Sequence, residues 1–377
     1  MRTIALPYGD TTVQVGLPDS LEVEVAAPPD ADAGPGADAR EGPTDAPMNE
    51  AGIVEGALDA PVGSRRLEER ARGLARVTIV VPDRTRPAGV RRYVPALLAR
   101  LSRAGVPDGG GIHAPARPAE ASDLVGADVA RRVRVVGSDA DDVAAFVEVT
   151  ADRAVGHPRL HRAVVDTDLV IVTGAVAPHY LAGWSGGAKA IVPGCADRAT
   201  VEAVHRLTLD ATVGFDGAVR SLLGRTDKNP FRAAIERVAS RAAPSFAFLT
   251  GVVAGRLVHA HAGDVGAAHA AAVHEHRRRF ATARPAPADL VIAGGGAPRD
   301  RDLLQAHKGL VVACDVAKAG APVVWLAHAG DGAGHPRFLP WFEAGRLERH
   351  LAALRRTFHP YGLTAYALRV KAARHPI

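Results

Sequence analysis

The segment Val164-Val165-Asp166-Thr167-Asp168-Leu169-Val170-Ile171-Val172-Thr173-Gly174 ends in a run of aliphatic residues with no polar face. Such a run reads as a strand buried on both sides, the state of a central strand in a parallel sheet covered by helices. It opens directly into Pro178-His179-Tyr180-Leu181-Ala182-Gly183-Trp184-Ser185-Gly186-Gly187-Ala188-Lys189-Ala190-Ile191-Val192-Pro193-Gly194, followed by His205. Open α/β sheets bind ligands at the carboxyl ends of their strands, so one lysine and two histidines are expected there. Gly186 and Gly187 remove side chains beside Lys189 and let backbone approach a bulky ligand, a setting in which a lysine can carry a covalent group.

Further strand, loop, helix units surround this block. Arg76 to Pro82 reads as a buried strand ending at Asp83-Arg84-Thr85-Arg86-Pro87, with a helix from about Val90 to Ala104. Gly109-Gly110-Gly111-Ile112-His113 follows a strand-poor segment, and Arg134 to Gly137 is a short strand. Helix-like spacing covers Ile53 to Leu74, Phe231 to Ala242 and Ala267 to Ala281, with a strand at Ser245 to Val253. Asp289 to Ala293, a helix from about Leu303 to Ala319 and the strand Pro322 to Leu326 repeat the unit downstream of the linker Arg284-Pro285-Ala286-Pro287. The chain is therefore expected to be α/β, with parallel-rich sheets flanked by helices, in two domains: 1–285 and 286–377. Thr11 to Val25 alternates as an opening hairpin or edge strand, and the stretch 26–50 is expected to be a flexible loop.

A length of 377 residues suffices for two cores. No apolar run approaches the roughly 20 residues that cross a bilayer, so a membrane protein is not expected. The first residues lack the apolar core and cleavage site of a signal peptide, which makes the cytoplasm the expected compartment. The net charge of +5 comes from arginines spread over helix-like stretches, and with aromatics at 5% there is no basic, stacking face for nucleic acid. Two cysteines, Cys195 and Cys314, make no disulfide framework.

Asp83-Arg84-Thr85-Arg86-Pro87, Gly111-Ile112-His113, the His179 to Gly194 block, His205 and Gln305-Ala306-His307-Lys308 occur in the order and approximate spacing of the lactate racemase family, which this chain resembles from about Ile53 to Ala373. The resemblance implies two α/β domains with the active site in the cleft between them. It also implies a nickel-pincer nucleotide, a pyridinium mononucleotide with thioamide and thiocarboxylate arms around Ni(II). Lys189 would hold it through a thioamide bond and His205 would complete the nickel coordination, with Asp83, Arg86, Gly186 and Gly187 beside it. His113 and His179 resemble the paired acid-base histidines. Arg86, Gln305 and Lys308 resemble the groups that orient substrate, Arg86 or Lys308 being the natural partner of a carboxylate.

The implied reaction is that of an isomerase, the racemisation or epimerisation of a 2-hydroxy acid. The α-hydrogen beside a carboxylate is a poor acid, and its removal as a proton would build a dianion; removal as hydride avoids that charge. One histidine takes the hydroxyl proton, hydride moves to the pincer, and the 2-oxo acid receives it back on the opposite face. Inversion calls for two bases on opposite sides, and imidazoles near pH 7 both accept and donate. The implied partners are a small 2-hydroxy acid and, transiently, the cofactor-synthesis proteins. Two alternatives stand beside it: the same cofactor acting on a larger polyhydroxy acid, and a non-catalytic homologue that binds metal or nucleotide.

Each residue also has a plainer role. Lys189 in a glycine-rich loop suggests phosphate binding, but P-loop spacing is absent. A lone helical histidine such as His205 is commonly a packing residue, and Asp83 and Arg86 can simply pair at a helix start. Gln305 and Lys308, three apart, also fit a solvated helix face. Cys195 lacks an assigned base and reads as a buried small residue. His157, His161, His259, His261 and His269 show no ligand spacing and read as surface or packing residues. Two departures from the family pattern are expected to matter for substrate choice: Ala114 stands where an arginine commonly follows the histidine, and the chain stops at Ile377 where members commonly continue.

Overall fold

The computed structural model describes residues 1–26, 49–83, 86, 88–107, 111–114, 121–213, 222–253, 255–281, 286–297 and 299–377, with 111–114, 121, 210 and 212 described by backbone. Most of the 26–50 segment, Arg84, Thr85, Pro87, Gly109, Gly110 and the linker residues Arg284 and Pro285 lie outside the described residues. The chain divides into two compact units: a larger one, Pro28–Leu207 with Leu222–Ala281, and a smaller one, Met1–Ala27 with Thr208–Ser221 and Thr282–Ile377.

The larger unit is built on a six-stranded sheet. Its strands run in the order Arg256–Gly263, Ser245–Val253, Leu169–Ala175, Val77–Val80, Gly111–Ala114 and Arg134–Gly137. The first pairs antiparallel with its neighbour, and all the others are parallel. Leu169, Val170, Ile171 and Val172 are each at most 1% exposed, as a strand covered on both faces requires. The helix Val90–Arg103 presents Val90, Tyr93, Val94, Leu97, Leu98 and Leu101 to the core at helical spacing. Tyr93 hydroxyl donates to Thr173 Oγ1 at 2.9 Å and Thr173 donates to the Val80 carbonyl at 2.8 Å, so the two buried hydroxyls bridge helix and sheet. The helix Val265–Phe280 begins at Asp264, whose carboxylate accepts from the Gly266 and Ala267 amides.

In the smaller unit the strands Val291–Gly294 and Val323–Leu326 pair in parallel, and the helix Leu303–Val316 lies between them in sequence. Leu310, Ala313, Cys314, Val323, Phe338, Ala365 and Leu368 form its core. The hairpin Arg2–Tyr8 and Thr11–Leu17 packs here: Gly9 donates its amide to Asp300 Oδ2 at 2.9 Å, and its carbonyl accepts from Ala297 at 2.8 Å. A Cβ on Gly294 would stand 2.5 Å from the Pro7 carbonyl oxygen, so only glycine admits this contact.

The α/β architecture with parallel-rich sheets is as expected, and three details differ. The opening hairpin clusters with the carboxyl-terminal segment, not with the rest of 1–285. The helix-like stretch from Ile53 to Leu74 is two helices, Glu50–Asp59 and Leu67–Ala71, since Pro61 interrupts the ladder. Gly111–Ala114 is itself a sheet strand. No described helix is long and apolar enough to cross a membrane.

Candidate functional site

The carboxyl ends of three neighbouring parallel strands in the larger unit carry most of the singled-out residues. Val77–Val80 runs out into Asp83 and Arg86, and Gly111–Ala114 holds His113 opposite Val80. Leu169–Ala175 leads to the short strand Pro178–His179. This edge is where an open α/β sheet leaves backbone groups and loop side chains available to a ligand.

From Pro178 the chain forms a small ribbon, His179 pairing with Gly183, and then a turn of 3-10 helix, Gly187–Ala190, that carries Lys189. Ser185 fastens the ribbon to the strand exit: its hydroxyl donates to the Ala175 carbonyl at 2.8 Å and accepts from the Ala177 amide at 2.9 Å. Asn229 donates to the Leu181 carbonyl at 2.8 Å, and the Trp184 indole donates to the Gly224 carbonyl at 3.1 Å. The glycines serve this folding directly. Gly186 and Gly187 have φ of 78° and 60°, and added Cβ atoms would lie 3.0 Å from Val176 and 3.1 Å from the His269 ring. At the Cβ positions the neighbours are the protein's own Val176 and His269 side chains.

Lys189 is half-buried on that turn. His205 lies on the helix Arg198–Thr212 and packs its ring 4.8 Å from that of the fully buried Phe231. Burial pushes its pKa down to about 4, with the Lys189 charge acting in the same direction. A neutral ring carries one proton, and His205 Nδ1 donates it to the Val201 carbonyl at 2.7 Å. The lone pair is therefore on Nε2, the tautomer a metal ligand needs. Among the described residues no group of three or more His, Cys, Asp or Glu could hold a metal ion. A lysine on the turn at the strand exit and a neutral imidazole are the residue types that could hold a lysine-tethered metal group.

His179 is half-buried and stacks on Tyr180 at 5.3 Å and 12°. Its Nδ1 accepts from the Leu181 and Ala182 amides at 3.2 and 3.1 Å, so the neutral ring carries its proton on Nε2. The side chain of His113 lies outside the described residues. Arg86 Nε stands 3.6 Å from Asp83 Oδ2, and both are partly exposed. Gln305 and Lys308 belong to the smaller unit, where Lys308 Nζ donates to Gln305 Oε1 at 2.7 Å.

Other residues resolve as structural. Cys195 is fully buried with its thiol pushed well up by that burial, and it donates to the Ala190 carbonyl at 3.3 Å. His157 is exposed against Glu148 at 2.7 Å, and buried His161 caps the short helix Arg162–Val165. His269 is more than a packing residue: its ring nitrogens join Arg232 to the Ser185 carbonyl. Nothing in its spacing or that of Arg232 announces this, because the partners are main-chain groups some 40 to 80 positions away.

A curated lactate racemase from Thermoanaerobacterium thermosaccharolyticum is 27% identical over 356 residues, covering 92% of this chain and 79% of that one. A second, from Lactiplantibacillus plantarum, is 29% identical over 302 residues, covering 77% and 69%. The structure of the lactate racemase apoprotein from T. thermosaccharolyticum superimposes with a TM-score of 0.84 at 24% identity, covering 99% of this chain and 87% of that one. A crystal structure of a Thermotoga maritima protein gives 0.63 at 19% identity, over 86% and 83%. Both likenesses bear on the fold. The lactate racemase N-terminal domain model matches residues 8–215, more than half of the 377 residues, and the chain accordingly belongs to the lactate racemase family.

Proposed function

We propose that the chain is an isomerase that racemises or epimerises a 2-hydroxy acid with a nickel-pincer nucleotide tethered at Lys189. The observation that supports the reading is Lys189 on the 3-10 turn that follows the strand exit, with His205 further along on a helix, its Nδ1 donating to the Val201 carbonyl so that the ring nitrogen of metal-ligand type is Nε2. When bound, that group supplies a hydride acceptor and donor together with Ni(II), an ion that takes imidazole and soft ligands alike.

The chain's own residues supply attachment, proton handling and substrate orientation. Lys189 provides the tether and His205 Nε2 a metal donor. His179, protonated on Nε2, enters as the hydrogen-bond donor toward a carbonyl or alkoxide oxygen. The complementary base, which takes the substrate hydroxyl proton, is His113. Its strand register opposite Val80 supports the role by setting it on the same sheet edge as the exit toward His179. Arg86 and Lys308 are cations, and either is the type of group that takes a substrate carboxylate.

The test is protein produced together with the cofactor-synthesis enzymes, assayed by chiral analysis on short, aromatic, dicarboxylic and sugar-derived 2-hydroxy acids. Inversion of at least one acid, with a mass increase on the Lys189 peptide, is the expected result. An unmodified Lys189 peptide in every preparation and no inversion across the panel would overturn the reading.

A further inference from the structure

We infer that Arg232 and His269 are positioning residues that fix the Gly186 to Lys189 turn, and thereby the aim of the Lys189 amine, by gripping the two carbonyls that precede it. The functional consequence rests on the reading of Lys189 as the attachment point; the mechanical one does not.

Arg232 lies on the helix Pro230–Ala239, which starts at Asn229, whose side chain accepts from the Arg232 amide at 3.0 Å. Its guanidinium is only 4% exposed. It donates to the Trp184 carbonyl at 3.3 Å, to His269 Nδ1 at 3.1 Å and to Glu236 at 2.5 Å. Since His269 Nδ1 accepts, the ring proton is on Nε2, and it goes to the Ser185 carbonyl at 3.0 Å. The chain Arg232, His269, Ser185 is therefore polarised in one direction, every donor meeting an acceptor. Burial, with the Arg232 charge adding to it, pushes the His269 pKa down to about 4 and keeps this tautomer neutral.

The same imidazole forms the seat of the turn. A Cβ on Gly187 would meet His269 Cδ2 at 3.1 Å and Cγ at 3.3 Å, so the ring lies flush beneath the backbone that leads into Lys189. A buried guanidinium is costly to place, and replacing it with an apolar residue would satisfy packing alone. What an apolar residue could not do is hold the Trp184 and Ser185 carbonyls, whose orientation sets the peptide planes entering Ser185 and Gly186. Both glycines sit at positive φ, where the backbone is otherwise free to change conformation, so the restraint has to come from outside the turn.

Packing and hydrogen bonding are separated by three variants. His269→Phe keeps a ring under Gly187 and removes both bonds; His269→Gln keeps an amide donor for Ser185; Arg232→Met removes the bonds to Trp184 and His269. In the apoprotein, hydrogen exchange at the Ser185, Ile191 and Val192 amides is expected to rise about tenfold or more in the Phe and Met variants, the loss of roughly one hydrogen bond. His269→Gln should exchange within about threefold of wild type. Amides of the helix Leu303–Val316, in the other unit, should be unchanged in all three. Labelling of Lys189 by a small amine-selective acylating reagent should change in the same variants and be restored in His269→Gln. Unaltered exchange and labelling in both the Phe and Met variants would overturn the inference. Altered exchange in protein whose wild-type Lys189 never acquires an adduct would uphold the grip and sink the attachment reading instead.

Discussion

His205 Nδ1 donates to the carbonyl of Val201, one helical turn earlier, at 2.7 Å. The bond fixes the tautomer, which puts the lone pair on Nε2. Replacement of His205 by alanine is expected to leave the adduct on Lys189 and to lower nickel retention by about 10- to 100-fold, the range for removal of a metal-site group. Metal analysis of desalted protein beside mass spectrometry of the Lys189 peptide reads the two separately. Equal nickel in wild type and variant would remove His205 from the coordination.

Lys189 itself gives the complementary result. Lys189→Ala should abolish covalent attachment, and Lys189→Arg should do no better, because a guanidinium carries its charge permanently and is a poor nucleophile beside an amine. Intact-mass measurement of co-produced protein decides it: an adduct of undiminished abundance in either variant would place the attachment elsewhere.

The placement of His179 was legible in the sequence, as was the strand behind it, because a continuous aliphatic run followed by a glycine-rich exit has few other ways to fold. Ser245–Val253 and Arg134–Gly137 match their expected bounds for the same reason. The strand Arg256–Gly263 was not legible, since it carries buried His259 and half-buried His261 where apolar residues would announce a strand. His259 fits because it lies over Gly251, where a Cβ would come within 2.1 Å of its Nε2. Gly186 and Gly187 also answer to partners distant in sequence, since Val176 and His269 stand where their Cβ atoms would be. The partnership of the amino-terminal hairpin with the carboxyl-terminal segment escapes a reading along the chain, because it rests on contacts such as Gly9 to Asp300, 291 positions apart.

His179, with two amides directed at Nδ1, is expected to show an Nε2-protonated neutral ring by nitrogen NMR. His179→Ala should lower kcat in both directions of inversion by about 10²- to 10⁴-fold, the usual worth of a positioned acid or base. Undiminished turnover in the variant would strike it from the mechanism. His113→Ala should behave alike, and undiminished turnover in that variant would likewise remove His113.

The Gln305 to Lys308 bond predicts a graded effect on substrate. Lys308→Met removes a cation and is expected to lower kcat/KM by about 10- to 100-fold, the scale of one charge-assisted hydrogen bond. Gln305→Ala, which leaves the charge and removes the oxygen that orients it, should cost less and act mainly on KM. Equal KM values for all three proteins, with a substrate bearing a carboxylate, would assign the pair to the solvated face of its helix.

Buried histidines set the acid limit of the fold. Burial is the leading cause that pushes His259 down to about 3 and His269, His307 and His350 to about 4, against 6.5 for an ordinary histidine. Between pH 6.5 and about 4 the unfolded chain binds protons that the native chain excludes, so stability is full above pH 6.5 and falls as the pH drops through that window. The slope is at most about 1.4 kcal/mol per pH unit for each ring. His350 offers a clean comparison: its Nε2 donates to the Gly362 carbonyl at 3.0 Å while Nδ1 accepts from Arg369 at 3.1 Å, so acid must break the second bond. Urea midpoints at pH 7.5, 6.0 and 5.0 should decline progressively, and His350→Gln, less stable at pH 7.5, should decline less steeply. Midpoints that stay level from pH 7.5 to 5.0 would mean that these rings take up protons as readily in the native chain as in the unfolded one.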